Sequence, residues 1–405
     1  MKPLREGLYC AVLLALGACG TTATEANSPD TSIAEQTPEA VQPGVNDGDV
    51  APSDVDVTDS GQPGCALVGS VWKNEDYTGS DHTTNDEHEV LDAYIPAGEA
   101  PGAGWPTIIV FVGGGFTSSN KSEVDPCTED TIGHQIMSKG WALVVAEYRI
   151  LEHKWPLPEE DGPRVVQWVR HRASTWGIKT DAIVGFGKSA SAIVGLYAAL
   201  GAERAATDPE APAWEHQSSR LQAFVNHMAA TDWTIIDDTF QAAHFATGAQ
   251  MKDIPKQTVL DASATWYGFQ GETAELNRAM PIFSLYGGEE GTPPLGDDEK
   301  VQHNALFGRV LHDTLEAHDD FHKSHSCYHQ DLNKVETLFD KVALALACID
   351  SQQCPPCHDA SDYSPRGFGG MHCGRNHDHT PIHKDRDDVV APGGSGDGLR
   401  MPTAC

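Results

Sequence analysis

Residues 182–196 read Ala182-Ile183-Val184-Gly185-Phe186-Gly187-Lys188-Ser189-Ala190-Ser191-Ala192-Ile193-Val194-Gly195-Leu196, and this stretch decides the fold. A short apolar run, Ala182 to Phe186, breaks at Gly187, and a longer run of small and apolar residues begins at Ala190. That is the pattern of a buried strand, a tight turn and a helix. A serine on such a turn is forced into strained backbone that lifts its hydroxyl above the sheet edge, and the crowding demands small neighbours. Ser189 is therefore the candidate nucleophile. The full motif has glycine two residues after the serine; Ser191 stands there instead, the next smallest polar residue.

Outward from this turn, β-branched runs alternate with amphipathic stretches. The expected strands are Val90 to Ile95, Thr107 to Val112, Ala142 to Tyr148, Ala182 to Phe186, Leu221 to Met228 and Ile282 to Tyr286. Several are apolar throughout, as strands covered on both faces of a mostly parallel sheet should be. Helices are expected over Gly162 to Ala173, with Pro163 in the first turn, over about Ala190 to Arg204, and over about Asp298 to Ala317. Strand and helix repeated in this order predict an α/β fold: a mostly parallel central sheet with helices on both faces.

A second chemical feature lies upstream. Pro106 to Ser119 reads PTIIVFVGGGFTSS, a buried strand ending in the glycines Gly113, Gly114 and Gly115. Backbone without side chains can turn its N–H groups toward a ligand, and donors so aimed stabilise the oxyanion that develops when a hydroxyl attacks an ester carbonyl.

With both features in place, the chain from about Glu87 to Cys348 resembles the α/β-hydrolase fold. It is most similar to the esterase and lipase branch with an HGGG oxyanion loop, in its bacterial feruloyl- or acetyl-esterase-like subgroup. The matching stretches are VFVGGGF, GWALVVAEYRI from Gly140, WPLPEEDGPRVVQWVRHRASTWGI from Trp155, DAIVGFGKSASA from Asp181 and SSRLQAFVNHMAATDW from Ser218. The loop histidine of that family is Val112 here, and the last glycine of its serine motif is Ser191. The resemblance implies oxyanion donors in the backbone N–H of Gly113 or Gly114 together with that of Ala190. It implies an acid after the strand Ile282 to Tyr286, where Glu290, with Glu289 in reserve, would orient a histidine. It places that histidine after the last strand, in FHKSHSCYHQ from Phe321, with His329 first, His325 second and His322 third. Histidine suits the task because its ordinary pKa, near 6.5, lets it take the serine proton and return it to the leaving alcohol.

The remainder of the chain bears on location. With 27 Lys and Arg against 59 Asp and Glu in 405 residues, the formal net charge is −32, which disfavours nucleic acid and anionic lipid surfaces as partners. Lys2 and Arg5 precede an apolar run from Leu8 to Ala18, too short to span a bilayer but suited to a signal peptide over residues 1–18. Leu16-Gly17-Ala18-Cys19 resembles the bacterial lipobox, which implies lipidation of Cys19, with Gly20 leaning toward an outer membrane or cell surface. Residues 19–64 read as a disordered acidic tether: Gly20 to Gly64 holds nine acidic residues and no Lys or Arg. Export leaves an even set, Cys65, Cys127, Cys327, Cys348, Cys354, Cys357, Cys373 and Cys405, for which disulfides are the default.

Residues 65–348 are the expected hydrolase domain and 349–405 a Cys/His-rich extension. In the extension, Cys354-Pro355-Pro356-Cys357-His358 matches a haem attachment pattern without the helices a haem needs, and His372, Cys373, His377, His379 and His383 match no defined metal spacing. No metal and no cofactor are expected. The expected activity is cleavage of carboxylic esters, small or sugar-linked, through an acyl-enzyme. Trp233, Phe240, Phe245, Trp266, Tyr267 and Phe269 either line an apolar or aromatic pocket or are plain core. The alternative from another class is a catalytically inactive surface binding protein, which the departures at Val112, Lys188 and Ser191 would also suit.

Overall fold

A computed structural model describes residues 65–78, 88–150, 152–267, 281–287, 291, 293–296, 301–316, 326–329 and 343. The expected signal peptide, tether and C-terminal extension lie outside the described residues, as do Cys19, Glu289, Glu290, His322 and His325. The described strands are β1 Val68–Asp76, β2 Val90–Pro96, β3 Trp105–Phe111, β4 Ala142–Ala146, β5 Ile178–Lys188, β6 Ala223–His227, β7 Ile282–Leu285 and β8 Ser326–His329. They form one sheet in the order β1-β2-β4-β3-β5-β6-β7-β8. β2 pairs antiparallel with both β1 and β4, and every later pairing is parallel.

The central stretches of β3, β4 and β5 are mainly apolar because both sheet faces are covered. In β3, Ile109 and Phe111 join the apolar cluster that contains α2 Leu157–Trp176, α3 Ala190–Leu200 and α6 Ala305–Glu316, while Ile108 and Val110 join an opposite cluster containing Ile136 and Met137 of α1 Ile132–Ser138. β4 alternates in the same way, Val144 to one side and Leu143 and Val145 to the other. Two short helices, α4 Lys256–Asp261 and α5 Ala264–Tyr267, follow β6.

All six expected strands are present within a few residues. Two strands escaped the sequence reading: β1 is polar and half-buried, and β8 spans four residues. α2 begins at Leu157, five residues before the expected start, with Pro158 in its first turn and Pro163 inside it. α2 rests directly on α3: a Cβ on Gly162 would lie 2.4 Å from the Val194 carbonyl oxygen. α2 stops at Gly177, whose φ of 65° closes the helix by donating to Ala173 O. α3 stops at Leu200 rather than near Arg204.

One disulfide, Cys65–Cys127, staples the chain before β1 to the loop preceding α1, with Cα atoms 5.3 Å apart. Arg149 and Asp161 form a buried pair, with Arg149 Nη2 2.6 Å from Asp161 Oδ1 and the Arg149 backbone N–H donating to Oδ2 at 2.9 Å. That pair fixes the chain after β4 to the first turns of α2.

Candidate active site

β5 ends at Lys188 and α3 begins at Ala190, so Ser189 alone forms the turn, at φ 59° and ψ −128°. A non-glycine residue at positive φ costs of order 1–3 kcal/mol and persists only where its surroundings impose it. Here they do. The Ser189 N–H donates to His227 O at 2.9 Å, and a Cβ on Gly187 would lie 2.5 Å from Ala192 Cα. Ser191, where the resembled motif has glycine, is fully buried; its hydroxyl accepts from Lys188 N–H and donates to Lys188 O, both at 2.9 Å. The departure thus fastens the turn from inside.

The glycine loop lies against this turn. A Cβ on Gly113 would meet Lys188 O at 2.7 Å, and one on Gly114 would meet Ser118 O at 1.9 Å. The Gly114 carbonyl is drawn back into its own loop, accepting from Thr117 N–H and Ser118 N–H, each at 3.1 Å, and from the Thr117 hydroxyl at 3.0 Å. Among the described residues no acceptor meets the N–H of Gly113, Gly114 or Ala190. These are the groups the sequence named as oxyanion donors.

The imidazole that meets Ser189 is that of His303: its Nε2 lies 2.7 Å from Ser189 Oγ. His303 closes a 3₁₀ turn, Val301–His303, directly before α6. This differs from the expectation of His329. His329 ends β8, paired in register with Leu285, so its backbone reaches the same edge of the sheet; its side chain is not described. Sequence reasoning missed His303 because it fell inside a helix expected from about Asp298. The overlooked signal is Asn304, whose Oδ1 accepts from Leu306 N–H at 2.9 Å and marks the true helix start.

Asn304 has a second task. Its Oδ1 also accepts the Gly291 N–H at 2.8 Å, and a Cβ on Gly291 would lie 2.9 Å from Asn304 Nδ2. The backbone immediately after Glu290 is therefore tied to the residue immediately after His303.

Burial, and secondarily the Lys188 ammonium, hold His303 below the ordinary histidine pKa. His227, at the end of β6 in register with Lys188, is lowered to about 4 by burial first, then by Lys188 and His303. Among the described residues neither of its ring nitrogens has a hydrogen-bond partner. Both imidazoles are therefore neutral near pH 7, the form in which a histidine can accept a proton. The arrangement of strained hydroxyl, neutral imidazole and unengaged backbone donors can carry out nucleophilic acyl transfer.

The comparisons with known proteins bear on the fold. Residues 91–283 match the family model BD-FAE. The match runs from β2 into β7, so it includes Ser189 and the glycine loop and ends before Glu290, His303 and His329. A solved structure, a truncated form of a carbohydrate esterase from gut microbiota, is similar at 16% identity with a TM-score of 0.50, covering 70% of this chain and 98% of that one. An acetyl ester-xyloside bifunctional hydrolase from Caldicellulosiruptor lactoaceticus shares 18% identity over 69% of this chain and 94% of its own, with a TM-score of 0.49. No curated protein sequence matches the chain. The chain has the α/β-hydrolase fold, and its residues 91–283 match the BD-FAE family model.

Proposed function

We propose that the protein is a serine esterase that works through an acyl-enzyme on small or sugar-linked esters. Ser189 Oγ attacks the ester carbonyl while His303 Nε2 takes its proton. The N–H groups of Gly113 or Gly114 and of Ala190 hold the resulting oxyanion. Collapse expels the alcohol, which receives the proton from His303, and water then cleaves the acyl-enzyme by the same route in reverse. Glu290 is the acid of this reading, supported by the tie between Gly291 and Asn304. The single observation that carries it is the 2.7 Å contact between Ser189 Oγ, at positive φ, and His303 Nε2.

A fluorophosphonate probe and p-nitrophenyl acetate test the reading together. The wild type should be labelled and active, and Ser189→Ala neither; folded wild-type protein that resists the probe would leave only a binding role. His303→Ala against His329→Ala decides the base. A fall of about 10³-fold or more in kcat is expected for the first; such a fall for His329→Ala alone would move the role to the end of β8. A panel of acetyl, butyryl and feruloyl esters should show a short-chain or aromatic preference.

The protein is further proposed to be exported and lipid-anchored through Cys19, at an outer membrane or cell surface. Support comes from the Leu16-Gly17-Ala18-Cys19 sequence and from the Cys65–Cys127 disulfide, which suits an oxidising compartment. Cys19→Ala should abolish incorporation of radiolabelled palmitate in the bacterial host; unchanged incorporation would refute the anchor.

A further inference from the structure

Phe116 follows the three glycines directly and itself holds φ 59°. Its ring is caged. His244, from the segment after β6, stacks on its face with centroids 3.9 Å apart and planes 22° apart, and Tyr148 meets its edge at 5.9 Å. His244 is clamped in turn: Trp233 stacks behind it at 5.6 Å and 23°, and Phe245 packs at 5.2 Å. Its Nε2 lies 2.7 Å from Oε1 of Glu159, a carboxylate with no solvent exposure in the first turn of α2. The two atoms lie within ion-pair distance without the alignment of a hydrogen bond.

Burying a carboxylate and an imidazole together costs free energy that an apolar pair of the same shape would avoid. Plain core filling therefore does not account for them, whereas a single fixed orientation for the ring against Phe116 does. Val112, which occupies the position of the family's loop histidine, packs into the apolar cluster on the opposite face of the sheet and cannot serve the loop from this side. Phe116 packs into the cluster that contains α2 and α3. We propose that His244, oriented by Glu159, is a positioning residue that clamps Phe116 and so fixes the Gly113–Gly114 donors over Ser189. The proposal rests on the ester-hydrolase reading of the site and adds to it the part that aims the oxyanion loop.

The test uses the whole protein, p-nitrophenyl acetate kinetics and inhibition by a trifluoromethyl ketone, whose adduct with Ser189 places an oxyanion in the same cradle. His244→Ala and Phe116→Ala should lower kcat by about 10- to 100-fold, as expected for donors displaced by a fraction of an ångström to 1 Å. KM should stay within about threefold, and the inhibition constant should weaken in step with kcat. A generally loosened fold would not produce that parallel. The double variant Glu159→Leu with His244→Phe keeps an aromatic face but removes the carboxylate that orients it, and should leave kcat at least about fivefold below wild type; recovery to the wild-type value would overturn the part assigned to Glu159. If His244→Ala does not fold, Phe116→Leu carries the test. A folded His244→Ala or Phe116→Leu whose kcat and inhibition constant both stay within twofold of wild type overturns the clamp, as does a loss of kcat that the inhibition constant does not follow. Wild-type protein that neither cleaves esters nor reacts with a fluorophosphonate overturns the esterase reading and the clamp together, whereas active wild type with unaffected variants overturns the clamp alone.

Discussion

Gly114→Ala tests the proposed oxyanion loop apart from Ser189 and His303. An added Cβ would lie 1.9 Å from the Ser118 carbonyl oxygen and 2.6 Å from the Ser118 hydroxyl oxygen, where real Cβ contacts essentially never fall below 3.0 Å. The nearest obstacle is backbone, so the loop must give by about 1 Å, and the turn held by Thr117 and Ser118 N–H on Gly114 O must open. Misplacing catalytic groups by about 1 Å costs on the order of 10²-fold, and losing one oxyanion donor costs about 10² to 10³ in kcat, or about 2.7–4 kcal/mol of barrier. The expected result is a kcat for p-nitrophenyl acetate lowered at least 100-fold with a much smaller change in KM. Gly102→Ala is the control, since a Cβ there meets nothing within 4 Å. Thermal unfolding followed by circular dichroism verifies that both variants fold. A folded Gly114→Ala enzyme with kcat within threefold of wild type would refute the assignment of this loop to the oxyanion.

Three further outcomes follow from the described geometry. Because burial and then Lys188 hold His303 below the ordinary histidine pKa, the acid limb of kcat/KM should lie below pH 6.5, and Lys188→Glu should move it upward by favouring the imidazolium; a limb that stays in place in low salt would remove Lys188 from the account. Opening Cys65–Cys127, which spans 62 residues of sequence, should lower unfolding free energy by about 3–4 kcal/mol; urea titrations of the Cys65→Ala, Cys127→Ala double variant measure it, and a change below about 1 kcal/mol would contradict the role of the staple. Asp161→Ala leaves the buried Arg149 guanidinium with only Glu89, 3.4 Å away, and the Leu157 carbonyl, and should cost about 3 kcal/mol by the same titration, with a surface-like cost below 1 kcal/mol arguing that water reaches the pair.

The sequence revealed those parts of the site whose chemistry is local. Gly187, Ser189 and Ala190 lie within four residues, and the crowding that requires them is imposed by the same short turn. Gly113 to Gly115 form a second contiguous signal. His303 was not legible, because its role depends on a turn ending at Asn304 and on strand β6 lying between β5 and β7, neither of which a histidine in a polar stretch announces. His244 was hidden for the same reason: 128 positions separate it in numbering from Phe116, and only the packing of the segment after β6 onto the loop brings the rings together. β8 failed as a sequence signal on length alone, four residues embedded in histidines and lysine.

The charge of the protein and the charge around Ser189 run in opposite directions, which bears on the proposed chemistry. A chain of net charge −32 would by itself favour protonated histidines, since every surrounding carboxylate stabilises imidazolium. Near Ser189 that tendency is reversed. Most described basic side chains engage carboxylates, as Lys73, Lys121, Arg149, Arg164, Arg172 and Arg220 do. Lys188, immediately before Ser189, has no carboxylate within ion-pair distance among the described residues, and its field falls on both His227 and His303. Lys188 is exposed, so salt must weaken that field. Burial, the larger cause for both histidines, does not screen away. If His303 is the base of the proposed reaction, kept neutral chiefly by its pocket and trimmed by one surface cation, the acid limb should therefore stay nearly fixed as ionic strength rises. If neutrality depended mainly on Lys188, the limb would climb steadily with salt.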